Sequence, residues 1–326
     1  LPDLRHKLDL WITEAMPGML HMIGSMSPGA VYVPPTLQHL PAAEQARKLA
    51  LAERNRVRAA ELFYVTEEMT QLAVHAGRSM PNYTLDMEDL PAECGLLVWA
   101  SSIGEADGGE FPVVAVSWGR HGQGVWLSYY CDHGDGLDAE AFFPGDPARQ
   151  AELRRQNRSR LAYEREQVVP FAKEAVWHLD LRDGKAPEDA VAAIEINAAD
   201  PTAVDRVEPM LRTVLATWLL MGQTIAAEHR EVPDRNARRR LMRTPTPAVD
   251  VRTVTLRRPV RDETGDGDLV SVGGRVYTCQ WVVRGHWRNQ RYPSRNTTRP
   301  IWIAPHIAGP EGAPLKGGDR VGVLRR

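Results

Sequence analysis

The chain has 326 residues, 43% of them hydrophobic and 25% charged, with a formal net charge of −2, which allows two domains of ordinary size and a sizeable core. Its longest apolar runs, such as Leu215 to Met221, fall far short of the roughly 20 residues a bilayer span needs, so a membrane-spanning helix is excluded. Leu1 to Leu10 mix charge and apolar character unlike the hydrophobic core of a signal peptide, and Cys94, Cys131 and Cys279 form no metal or redox pair, so a reducing cytoplasm without metal or cofactor is expected.

Residues 1 to 41 hold Met16, Met19, Met22 and Met26 among Pro17, Pro28, Pro34 and Pro35. The prolines predict an irregular arm, its methionines packed against a core. Residues 42 to 77 read as one long helix, with Leu62, Val65, Met69, Leu72 and Ala76 on a helical stripe and Gly77 and Pro81 as the stop. Cys94 to Ala100, Phe111 to Trp118 and Gly124 to Cys131 are β-rich runs parted by short Gly-containing segments, which predicts a three-strand antiparallel meander.

Asp146-Pro147 is a helix start, a capping carboxylate before a first-turn proline. The polar helix it opens carries Arg149, Arg154, Arg155, Arg158, Arg160 and Arg165. Those arginines offer a binding element, but a solvated helix with Glu/Arg pairs is the stronger reading. From Val207 the apolar residues Met210, Leu211, Val214, Leu215, Trp218, Leu219 and Ile225 keep helical spacing, as a packing helix requires. Residues 231 to 248 combine Pro233, Pro245 and Pro247 with five arginines and read as a linker. Beyond them come short β runs only, at 249 to 256, 270 to 272, 276 to 283, 301 to 304 and 321 to 324.

The expected class is therefore α+β: a helical N-terminal domain with a small antiparallel sheet (1–230), a basic linker (231–248) and a small β-rich domain (249–326). Charge divides in the same place. Residues 1 to 229 carry 20 Lys+Arg against 33 Asp+Glu, and residues 230 to 326 carry 20 against 9. The whole chain has only five lysines, so a composition bias explains arginine over lysine. It does not explain the concentration of charge at one end, which points to a polyanionic partner.

The densest segment is Trp281 to Glu311. As a strand it sends Trp281, Val283, Gly285 and Trp287 to one face and Arg284, His286 and Arg288 to the other. Asn289 to Pro300 then reads as an exposed loop with Arg291, Arg295, Arg299 and Tyr292, before a returning strand at Ile301 to Ala304 that ends at Pro305-His306. Arginine forks match phosphate and guanine edges, and β-ribbons enter grooves. Arg284, His286, Arg288, Arg291, Arg295 and Arg299 are accordingly the candidate nucleic-acid contacts. Trp281, Trp287 and Trp302 are better read as the small core behind them.

His286 and His306 could also serve as an acid/base pair, but no nearby carboxylate other than Glu311 and no metal-ligand spacing completes a site. Cys131, Asp132, His133 and Asp135 resemble a metal cluster but lie in a glycine-rich turn. Asp262, Asp266 and Asp268 lack the register of a calcium loop and read as a hairpin tip. Arg235 to Arg243 is a basic segment capable of general phosphate attraction. No phosphate loop, dinucleotide fingerprint, nucleophile elbow or HExxH motif occurs.

Two stretches, ELFYVTEEMTQLAVHAGRSMP (Glu61 to Pro81) and VRGHWRNQ…RPIWIAPHIAGPEGAPL (Val283 to Leu315), with LRTVLATWLLMGQ (Leu211 to Gln223), carry a resemblance. The chain resembles a family of actinobacterial and actinophage mobile-element proteins of unassigned activity, and the resemblance implies a mobile-element or host-defence setting. The sequence thus points first to a nucleic-acid-associated accessory protein, without distinguishing DNA from RNA. Two alternatives stand beside it: a nuclease or toxin-like enzyme using His286 and His306, and an assembly protein whose basic tail docks an acidic partner surface.

Overall fold

The fold comes from a computed structural model, which describes residues 1–26, 31, 33–81, 87–106, 111–121, 124–131, 145–156, 176–180, 203–257, 280–293 and 297–310. The chain forms two compact units, Leu1–Leu256 and Arg257–Arg326. The α+β class is as expected: helices dominate the first unit and short antiparallel pairs the second. No helix among the described residues is long and apolar enough to cross a membrane.

The first unit is organised by one mixed sheet. Its strands are β1 (Glu61–Val65), β2 (Cys94–Trp99), β3 (Gly104–Ala106), β4 (Phe111–His121), β5 (Gly124–Cys131), β6 (Val176–Asp180), β7 (Ala226–Glu231) and β8 (Val251–Leu256), in the order β6-β5-β4-β2-β1-β8-β7 with β3 beside β4. The expected meander β2-β4-β5 is present, antiparallel throughout. Its inner edge continues into β1, which lies parallel to both β2 and β8.

β1 corrects the single long helix expected over 42–77. The chain instead forms α3 (Ala42–Ala59), β1 and α4 (Glu67–Arg78). A central parallel strand is covered on both faces, so Leu62, Phe63 and Val65 are all buried and show no polar alternation to betray the strand. Leu62 joins one core with Ile12, Leu49, Val57, Leu96, Trp126 and Tyr130, beneath α1 (Pro2–Glu14), α2 (Met16–Met26) and α3. Phe63 faces the other side, where its ring lies 5.5 Å from Trp118, itself 5.2 Å from Trp218 of α6 (Ala203–Met221).

The packing role expected of α6 holds: Leu211, Val214, Leu215, Trp218 and Leu220 are buried. The helix stops at Met221, before Ile225. It approaches α4 so closely that a Cβ on Gly77 would lie 3.0 Å from the Thr213 backbone. The helix after Asp146 also forms, as α5 (Pro147–Gln156), and the Asp146 Oδ1 accepts from the Arg149 N–H at 3.0 Å. Its expected continuation, with Arg158, Arg160 and Arg165, lies outside the described residues.

The irregular N-terminal arm is a second correction, since residues 2–26 form α1 and α2. Pro2 and Pro17 each sit in a helical first turn, where the missing N–H would have had no partner. Met16 is in the core as expected, whereas Met22 and Met26 are exposed.

The third correction is the linker. Residues 235–241 form α7 (Arg235–Leu241), capped by Asp234, whose Oδ1 accepts from the N–H groups of Asn236 and Ala237 at 2.7 and 2.9 Å. Leu241 and Thr246 are buried, and α1 grips the segment from below. Arg5 donates to the carbonyl of Pro247, His6 Nδ1 lies 3.0 Å from Thr246 Oγ1, and Asp3 receives Arg240. β8 then pairs with β1 and β7 inside the main sheet. The compact division falls at Leu256/Arg257, because Ala237, Leu241 and Thr246 are buried in the first unit and β8 lies in its sheet.

Candidate nucleic-acid interface

The second unit is described through four strands: β9 (Trp281–Val283), β10 (His286–Tyr292), β11 (Thr297–Ile303) and β12 (His306–Ala308). β10 pairs with β11 and β9 with β12, both antiparallel. Ile303 lies opposite His286 and His306 opposite Val283, so the two ladders share one register. The interruption is confined to Arg284-Gly285 facing Ala304-Pro305, where Pro305 has no N–H to give. The element is one long hairpin with a break in its middle.

One face is backed by tryptophan. Trp287 and Trp302 are directly paired, with rings 5.4 Å apart and edge-on at 73°, and Trp302 is 5% exposed. Gly285 makes room for this pair: a Cβ there would lie 2.5 Å from Cζ2 of Trp302 and 3.2 Å from Cδ of Pro305. The core role expected of these tryptophans therefore holds.

The opposite face carries charge. From Trp281 to Arg288, half-buried Trp281, Val283, Gly285 and Trp287 alternate with exposed Val282, Arg284, His286 and Arg288, as the period of a strand requires. Arg299 pairs with Gln290 and shares that face by register, half-buried. Arg291 pairs with Thr298 and falls on the tryptophan face, though exposed, while Arg295 lies outside the described residues. The loop expected over 289–300 is mostly strand, because Asn289 to Tyr292 find ladder partners in Thr297 to Pro300.

Local hydrogen bonds orient the basic row. Arg288 Nη2 donates to Gln290 Oε1 at 2.7 Å, which lays the guanidinium along the strand. His286 Nδ1 is 3.0 Å from the Arg284 carbonyl, and His306 Nδ1 is 3.1 Å from that of Ala304. A carbonyl only accepts, so Nδ1 carries the proton in both rings and Nε2 is the remaining acceptor when the ring is neutral. The two histidines do not converge: they stand three register steps apart, about 10 Å along the ribbon, on faces of opposite parity.

Sequence reasoning missed the most elaborate polar site, which lies in the first unit. Glu53 of α3 is 1% exposed. Its Oε1 accepts from Ser117 Oγ at 2.6 Å and from the Tyr130 hydroxyl; its Oε2 accepts from Ser128 Oγ at 2.8 Å and from Arg56 Nε at 3.1 Å. The Arg56 guanidinium also covers the Trp126 ring at 5.0 Å. Burial pushes the Glu53 carboxyl up, but the Arg56 charge and the donated hydrogen bonds outweigh it and hold it below the usual glutamate range. Burial, with the adjoining Glu53 charge, raises the Tyr130 phenol well above its ordinary value, so it remains a donor.

With five hydrogen bonds from four residues on its two oxygens, Arg56 giving two, this carboxylate has little capacity left for a ligand, and its arrangement fastens α3 to β4 and β5. The legible signal was Glu53 itself, a charged residue on the stripe Ala46, Leu49, Ala50, Val57. Nearby Cys94 has its thiol pushed up by burial, which keeps it protonated. Among the described residues no group of three or more His, Cys, Asp or Glu could hold a metal ion. The Cys131 turn beyond Cys131 itself and the Asp262 to Asp268 tip lie outside the described residues.

No family model and no curated protein matches the chain. A solved structure titled "Crystal structure of AcrVA2" aligns with 94% of this chain and 93% of that one, at 11% identity and a TM-score of 0.37. An overlap that loose carries no functional argument.

Proposed function

We propose that the chain is a nucleic-acid-associated accessory protein of a mobile element or defence system, contacting phosphate through the basic face of its C-terminal ribbon. The observation that supports this reading most directly is the row Arg284, His286 and Arg288, exposed at alternate positions on a strand whose other face is backed by Trp287 and Trp302. Alternate residues lie about 6.6 Å apart on a strand, and each guanidinium can hold a phosphate through two parallel hydrogen bonds. Arg299 adds charge to this face by register, and Arg291, exposed on the tryptophan face, and Arg295 complete the proposed set of contacts. The mobile-element setting rests on the resemblance carried by Glu61 to Pro81 and Val283 to Leu315.

The nuclease reading is the weaker one, because His286 and His306 occupy opposite faces of the ribbon. Filter binding of the full chain to duplex DNA, single-stranded DNA and RNA at rising salt tests the proposal. Retention that falls linearly on logarithmic axes supports phosphate contact. Absence of retention on all three at low salt removes it in favour of an acidic protein partner.

A further inference from the structure

The corrected domain boundary moves charge. Seven of the arginines that the sequence places at the basic end, Arg230 to Arg252, belong to the first unit, not the second. Two of the seven are committed: Arg240 to Asp3 at 2.6 Å, and Arg252 to Glu61 at 3.0 Å and Glu228 at 2.6 Å. Arg235, Arg238, Arg239 and Arg243 enter no ion pair with any described residue. All four are exposed.

The short helix that carries them is firmly held. Ala237 and Leu241 are its buried side, at i and i+4. On a helix of 3.6 residues per turn Arg235 and Arg239 then fall on the side facing away, Arg243 follows within one further turn, and Arg238 lies on the flank. Asp234 caps the first turn through two backbone N–H groups, Arg240 anchors to Asp3, and the chain just beyond is gripped at Thr246 and Pro247 by His6 and Arg5. A mobile arginine tail would lose its freedom on binding, whereas charges on a fixed backbone lose less.

We infer that α7 and the turn after it form a second phosphate-binding surface, on the first unit, built from Arg235, Arg238, Arg239 and Arg243 and fitted to the phosphodiester backbone of a nucleic acid. Charge complementarity names the occupant. Arg240 of the same helix meets Asp3, whereas its four neighbours Arg235, Arg238, Arg239 and Arg243 gather their charge within nine residues of chain. Arg235, Arg238 and Arg239 on this helix and Arg243 just beyond it have no ion-pair partner among the described residues, and their donor forks suit phosphate oxygens. The partner class is the one proposed for the ribbon, but the residues are different and lie in a different unit.

The test uses the full chain and a generic duplex DNA, read by fluorescence anisotropy between about 50 and 200 mM salt. Three proteins are compared with wild type: R235A/R238A/R239A/R243A, the same four changed to Lys, and R284A/R288A. Every phosphate that a variant no longer neutralises lowers the logarithmic salt slope by about 0.9. The α7 alanine variant is expected to leave at least two phosphates without a cation, a slope change of about 1.8 or more, and the lysine variant to regain the slope because charge is restored. Equal melting temperatures exclude loss of fold.

An unchanged slope in the α7 alanine variant, with a reduced slope in R284A/R288A, overturns the α7 surface and leaves the ribbon reading intact. The converse result sustains α7 and removes the ribbon. A polyglutamate peptide that binds as tightly as the duplex, and loses binding in the same α7 variant, makes the partner an acidic protein and overturns the assignment.

Discussion

The guanidinium of Arg5, in the first helix, donates to the carbonyl of Pro247, 242 positions further along the chain, and to the carbonyl of Ala60 at 3.2 Å. Arg5 is 2% exposed; its hydrogen bond to Ala60 is buried and that to Pro247 is half-buried. They join the beginning of the first unit to the proline- and arginine-rich segment just before its last strand. Replacing Arg5 with Ala strands the buried Ala60 carbonyl, at a cost of about 1–3 kcal/mol. Limited proteolysis followed by mass spectrometry is expected to cut the R5A variant early within 241–250 and to spare that segment in wild type. The same first cut there in both proteins would mean that the clamp does not hold.

A second expectation concerns Glu53. Removing the carboxylate leaves Arg56, Ser117, Ser128 and Tyr130 without their common acceptor. E53A is expected to cost about 3–5 kcal/mol in urea unfolding. The pH dependence has a definite sign. Glu53 binds its proton less readily folded than unfolded, so its contribution is complete above the unfolded value of about 4.3. It is lost as pH falls through the lower folded value. E53Q should therefore lose less stability than wild type between pH 5 and the acid limit of folding. Parallel curves for the two proteins would show that the network is not a source of the acid sensitivity.

What the sequence disclosed depended on how plainly a pattern was exposed. β4 and β5 were legible as β-rich runs, and the ribbon at Trp281 to Arg288 kept strict alternation because one of its faces meets solvent. β1 was not legible, because both its faces are covered and it sits directly between two helices. The stripe Leu62, Val65, Met69 mimicked a helix although Leu62 and Val65 point to opposite sides of the sheet. α7 looked like a linker because its composition is that of one; the partners that fix it, Asp3, Arg5 and His6, lie at the other end of the chain. Glu53 finds its hydroxyl donors, Ser117, Ser128 and Tyr130, 64 to 77 positions away on separate strands, a relationship that no local window contains.

The ribbon itself offers a third test. Gly285→Ala places a methyl group 2.5 Å from the buried Trp302 ring and 3.2 Å from Cδ of Pro305. Overpacking of this kind costs about 1–3 kcal/mol, and a hairpin has little stability to spare. The variant should lose tryptophan near-ultraviolet dichroism from the Trp287–Trp302 pair and weaken nucleic-acid retention together. Retention at wild-type strength with the dichroism gone would show that the basic row needs no ordered tryptophan backing.

The central claim is that the row at Arg284 and Arg288 meets phosphate, and the salt slope of R284A/R288A measures it most directly. Anisotropy titrations of the full-length wild type and the double variant on one duplex, at several salt concentrations, supply that slope. With two phosphates no longer neutralised, the slope should be smaller in magnitude by about 1.8, with weaker binding most evident at low salt. A double variant whose slope and affinity match wild type, with its fold intact by circular dichroism, would contradict the account.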